Sequence, residues 1–126
     1  MQKMITFKKI KICFLLILVF VNFFYIGPCY SLSSREDLFK NALDLSSGGE
    51  FNLALKEWDN YLDSYPDDAA GLSNRGNVRL VLGDVEGSID DQNKAINLNP
   101  SEIDAYINRG IAEEALGLWS QAKKDY

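Results

Sequence analysis

The sequence predicts an all-α solenoid of antiparallel helix hairpins, and three observations carry that expectation. Asn74-Arg75-Gly76 returns 34 residues later as Asn108-Arg109-Gly110, and Leu82-Gly83 returns as Leu116-Gly117. Pro66 returns as Pro100 at the same interval. The small residues Ala54, Ser88 and Ala122 form a further series in that register. A fixed period of this length marks stacked units, none of which buries its apolar face alone.

The chain begins with a segment unlike the rest. Residues 1–31 hold Lys3, Lys8, Lys9 and Lys11 and no acid. Ile12 to Ile26 is apolar except for Asn22, Gly27-Pro28 breaks the run, and Cys29, Ser31, Ser33 and Ser34 are small. A basic start, an apolar core, a breaker and small residues form the layout of a secretory signal peptide. A retained N-terminal membrane anchor over residues 10–26 is the alternative, since about 17 apolar residues suffice to cross a bilayer. Pro28 beside Cys29 argues against lipid attachment there. In either case the lysines hold the N-terminus inside, so the repeats are expected outside the cytoplasm, in periplasm or thylakoid lumen, secreted or tethered.

From Arg35 the chain divides into repeats 35–68, 69–102 and an incomplete 103–126. Position eight of each holds Ala42, Gly76 or Gly110, and position twenty holds Ala54, Ser88 or Ala122. Small residues there let two antiparallel backbones approach, while Leu38, Leu72, Tyr106, Trp58 and Tyr126 fill the space beside them. Gly49, Gly83 and Gly117 fall where the first helix of each pair ends and a positive φ is wanted. Pro66 and Pro100 stop the second helix. Asp67 and Asp68 stand at the next helix start, and Ser101 with Asp104 resembles a capping box. Arg79, Glu113 and Gln92 occupy places suited to aromatics, so the second unit is expected to pack most weakly. The chain reaches Tyr126 about ten residues before its third unit would close, which reads as a truncated or partial product.

These residues resemble tetratricopeptide repeats, whose pattern asks for small residues at positions eight and twenty, aromatics near four, eleven, seventeen and twenty-four, and proline at thirty-two. The wording Asn-Arg-Gly, Leu-Gly, Lys-Ala-Ile and Leu-Asn-Pro is similar to bacterial members, and the stretch Glu57 to Gly76 with Ile111 to Gly117 is similar to cyanobacterial and plastid members. The resemblance implies a superhelix whose first helices line a concave groove. Carried over by position, that groove comprises Phe39, Leu43, Ser73, Asn77, Leu80, Val81, Asp104, Ile107, Ile111 and Glu114, with Glu36, Ser46, Ser47, Ala70 and Ala115 at its margins. Family members that grip chaperone C-termini use two lysines, an arginine and two asparagines. The corresponding positions here are Phe39, Leu43, Asn74, Asp104 and Asn108, of which only Asn74 matches, so that partner class is not expected.

Charge and chemistry narrow the function. All 18 acids lie after residue 31, against nine basic residues there, a net charge of −9 that disfavours nucleic acid. Histidine is absent and both cysteines, Cys13 and Cys29, lie in the leader. Without thiol or imidazole, neither a Cys/His zinc site nor the usual nucleophile is expected after the leader, and no cofactor is implied. Asp67-Asp68 and Asp90-Asp91 read as a helix start and a solvated face. Arg75 and Arg109 recur at position seven, and Asp91 and Asp125 at position twenty-three, which predicts an ion pair inside each hairpin.

The sequence therefore points to a non-catalytic scaffold that binds peptide segments of other proteins, in a setting such as assembly of a membrane complex. An accessory domain of a larger enzyme or transporter is the alternative, and a self-associating module a third. For the groove, a partner with apolar anchors and some positive charge is expected.

Overall fold

The computed structural model describes residues 34–126; the signal or anchor expected over residues 1–31 lies outside the described residues. Helix α1 spans Arg35–Ser47, α2 Phe51–Ser64, α3 Ala69–Val81, α4 Val85–Leu98, α5 Ile103–Ala115 and α6 Trp119–Asp125. No strand occurs among the described residues. None of the described helices is long and apolar enough to cross a membrane.

Local chemistry sets the ends. Ser34 and Asp37 form a reciprocal capping box at α1, with the Asp37 N–H donating to Ser34 Oγ at 3.2 Å and the Ser34 N–H to Asp37 Oδ2 at 3.1 Å. Asp68 accepts from the Ala70 and Gly71 N–H groups of α3, and Asp84 from that of Gly87 in α4. Gly49, Gly83 and Gly117 close the first helices with φ of 77°, 89° and 74°, a region costly for any side chain with a Cβ. The capping box expected of Ser101 and Asp104 does not form. Helix α5 starts one residue later, with Glu102 at its cap, and Asn99 instead organises the turn by accepting from the Ser101 N–H at 3.1 Å.

Consecutive helices pack as antiparallel neighbours, and α1, α3 and α5 also touch one another in sequence, whereas α2, α4 and α6 do not. The odd-numbered helices therefore lie on the inner side of the curve. Close approach is bought by the small residues: Ala42, Ala54, Ser88 and Ala122 are at most 1% exposed. A Cβ on Gly76 would stand 2.4 Å from Gln92 Nε2 and 3.2 Å from Asp91 Cβ, and one on Gly110 would stand 2.7 Å from the Tyr126 ring. The first hairpin is filled by Trp58 and Tyr61, against which Phe39 packs edge-on at 5.0 and 5.4 Å.

The second hairpin corrects the expectation of weak packing. Gln92 is fully buried against Gly76 and donates to the Ser73 carbonyl at 3.0 Å, so a polar side chain fills the aromatic's place. Its Oε1 and the Ser88 hydroxyl lack hydrogen-bond partners. Asp91 is corrected too: it is fully buried rather than on a solvated face, while Asp90 is exposed.

Both expected ion pairs form. Arg75 Nε and Nη2 grip Asp91 at 2.8 and 2.7 Å, and Arg109 grips Asp125 the same way at 2.6 Å through each nitrogen. Each arginine also reaches back to the preceding repeat: Arg75 to Asp59 at 2.9 Å and Arg109 to Asn93 at 2.7 Å. Arg79 adds a second cation to Asp91 at 3.0 Å. The bond to Asp91 raises the Arg75 guanidinium above its ordinary pKa, although burial opposes it.

Two outcomes are expected. Gly76→Val forces the second hairpin apart and lowers stability by roughly 1–3 kcal/mol; a thermal melt matching the parent chain would contradict the crossing. A double-mutant cycle on Arg75 and Asp91 is expected to give a coupling of about 1–3 kcal/mol, and additivity would show that the pair is idle.

Candidate partner groove

The inner helices present a stripe that the core does not consume. Leu43 on α1, Val81 on α3, and Ile107 and Ile111 on α5 are 39%, 53%, 43% and 45% exposed. Leu80 is half-buried beside Val81, and Asn77 is exposed. Asp104 is exposed and Glu114 half-buried, the latter beside the Tyr126 hydroxyl. On α5 the residues Asp104, Ile107, Ile111 and Glu114 follow one helix face, with an acid at each end and isoleucine between.

Two expected groove residues are otherwise engaged. Ser73 is 2% exposed, and its hydroxyl receives the Asn108 amide at 3.4 Å, so it links α3 to α5 and offers no surface. The Phe39 ring is half-buried and committed to Trp58 and Tyr61. Ser46, at the margin, accepts from Trp58 Nε1 at 2.9 Å and donates to the Ala42 carbonyl at 2.8 Å. Asn74 donates to the Ala70 carbonyl of its own helix at 2.9 Å.

The α1 end of the groove holds a cluster that the repeat pattern does not contain. Arg35 donates to Tyr61 Oη at 3.0 Å and to Asp68 Oδ2 at 2.7 Å, and the Tyr61 hydroxyl donates to the same carboxylate. Burial works against the Asp68 charge, but hydrogen bonds from Tyr61, Arg35 and the Gly71 N–H outweigh it and hold the carboxyl below its usual range. A cleft of about 270 Å³ opens here among Arg35, Glu36, Phe39, Tyr61, Asp68 and Ala70. Arg35, Tyr61 and Asp68 stand at positions one, twenty-seven and thirty-four. None recurs in the next repeat, where Ala69, Ala95 and Glu102 stand, so no periodic signal could have revealed them.

No protein-family model matches the chain. Among solved structures, the first TPR domain of Spaghetti (RPAP3), bound to the HSP90 peptide SRMEEVD, matches with a TM-score of 0.70 at 28% identity, over 73% of each chain. Bos taurus tetratricopeptide repeat protein 36 is 23% identical over 103 residues, 79% of this chain and 55% of its own length. This is a tetratricopeptide-repeat protein. A FAM10 family protein of Arabidopsis thaliana is 32% identical over 84 residues, 67% of this repeat protein. The repeat protein spans 19% of that relative's length.

One repeat position stands out electrostatically. Glu113 occupies position eleven, where Arg79 in the preceding repeat binds the buried Asp91. Glu113 instead lies near Asp125, and its Oε2 is buried without a hydrogen-bond partner. Burial first, and Asp125 second, push its carboxyl above the ordinary carboxylate range, against the pull of Arg109 and Lys124. A carboxyl raised in the folded state costs stability at neutral pH, and the cost is relieved as pH falls through the raised value.

Glu113→Gln keeps the shape, removes the charge and supplies an amide donor. It is expected to raise the melting temperature by a few degrees, roughly 1 kcal/mol. That advantage shrinks as pH falls through the raised value, where the parent carboxyl gains its proton. An advantage that does not vary with pH would assign the effect to something other than this charge.

Proposed function

We propose that this tetratricopeptide-repeat protein is a non-catalytic scaffold that takes a peptide segment of another protein along the inner faces of α1, α3 and α5. The observation carrying this reading is the exposed stripe of Leu43, Val81, Ile107 and Ile111 on helices whose opposite faces are tightly packed. Isolated exposed leucines are ordinary, whereas an aligned row on successive inner helices makes a surface suited to an amphipathic ligand. The peptide in the Spaghetti structure supports peptide binding by a fold of this kind.

The described residues hold no group of three or more acidic, histidine or cysteine side chains placed to bind a metal. The acids with hydrogen-bond partners bind arginine, tyrosine or asparagine side chains or cap helices. The leader's basic start and apolar run support export, with the groove outside the cytoplasm and membrane-complex assembly as its setting.

Peptides selected by display against the immobilised full chain are expected to bind the parent and to lose at least about tenfold in affinity to Ile107→Glu, equivalent to ~1.4 kcal/mol. Ile107 is already 43% exposed, so the change spares the core. Undiminished binding by that variant would remove the groove from consideration.

A further inference from the structure

We infer that the ligand suited to this groove is a cationic amphipathic helix, with two aliphatic anchors framed by lysine or arginine at both ends. The inference rests on the groove reading above and adds the chemistry of the partner. Asp104 and Glu114 bracket Ile107 and Ile111 along one face of α5, a row of about 15 Å at 1.5 Å per residue. A helix lying beside α5 meets it with the same spacing: a cation, an aliphatic residue one turn on, a second aliphatic residue a further turn on, and another cation.

The balance of charge around that row points the same way. Arg35, Arg75, Arg79 and Arg109 are each engaged with an aspartate: Asp68, Asp59 and Asp91, Asp91, and Asp125 respectively. Their charge is therefore spent within the fold. Lys40 on α1 is an exposed cation on the inner helices, set against exposed Glu36 and Asp104 and half-buried Glu114. The residues after the leader carry the net charge of −9 counted above, so the wider field adds to the local one. The SRMEEVD peptide of the Spaghetti structure carries the opposite charge, with two glutamates and an aspartate near its end. At this groove Asp104 and Glu114 would repel such a segment. Like charges facing across an interface suppress a wrong partner, and opposite charges speed and orient the right one.

The test uses the full chain in mild detergent and four fluorescent synthetic peptides. Three are helices with identical leucine anchors in the spacing of Ile107 and Ile111, flanked at the spacing of Asp104 and Glu114 by lysine, glutamine or glutamate. The fourth is SRMEEVD. Anisotropy titration at about 0.05 M salt is expected to rank lysine above glutamine above glutamate, with at least about tenfold between the extremes. The spread narrows at about 1 M salt, where the screening length is ~3 Å. Combining Asp104→Lys with Glu114→Lys is expected to invert the ranking.

Binding of the glutamate helix or SRMEEVD as tightly as the lysine helix overturns the inference. If all three helices bind equally and Ile107→Glu still abolishes binding, the charge selection is wrong and the groove remains. If none binds, or if Ile107→Glu changes nothing, the groove reading fails and takes the inference with it.

Discussion

Two helices of a hairpin can lie together only where one of them carries at most a methyl group, and the fold depends on this at each crossing. Gly76 faces Gln92 and Gly110 faces Tyr126 so closely that a methyl group would collide, and Ala42 stands at the same position in the first repeat. What occupies the opposing position is less constrained than the gap itself. Trp58 and Gln92 are both fully buried there, one hydrophobic and one hydrogen-bonded to a backbone carbonyl. The glutamine satisfies its donor and leaves its acceptor unpartnered, so the second hairpin is dense without being apolar throughout. Such an interior exchanges part of its hydrophobic contribution for directional bonds, each of modest net worth.

With the hairpins closed, the arginines at position seven fix how one repeat stacks on the next. Each makes a two-point grip on the aspartate of its own hairpin and sends its remaining nitrogen to the preceding repeat. The planar guanidinium suits this role because its donors diverge at fixed angles; a lysine would give one point of charge and no such orientation. The first repeat is anchored by different chemistry, with Arg35, Tyr61 and Asp68 tying α1 and α2 to the cap of α3. Asp68 thus serves as helix cap, ion-pair partner and acceptor for a phenol, and its depressed pKa follows from all three.

Packing and binding divide the same helices between them. On α3, Leu72, Ser73, Gly76 and Val78 are buried, while Asn77 and Val81 face outward. On α5, Ala105, Gly110 and Ala112 are buried, while Ile107 and Ile111 remain half exposed. The inner helices touch one another and the outer ones do not, so these exposed residues lie on the inner layer of helices.

The sequence by itself determined whatever repeats within one hairpin. The period located the helices, the glycines of positive φ, the small residues at the crossings and both arginine–aspartate pairs, because partners within a hairpin keep constant separations in the chain. Contacts between repeats were decided only in three dimensions. They depend on the rotation of one hairpin against the next, which no local spacing encodes. Ser73 holds a groove position by count yet is buried beneath Asn108, and Asp59 and Asn93, each 16 residues before its arginine, differ in residue type and so carried no repeated charge to announce the contact. Ser101 missed its capping role by a single residue, since Asn99 and Glu102 competed successfully for the same turn. The Arg35 cluster was equally hidden, because a unique contact leaves no trace in a periodic signal.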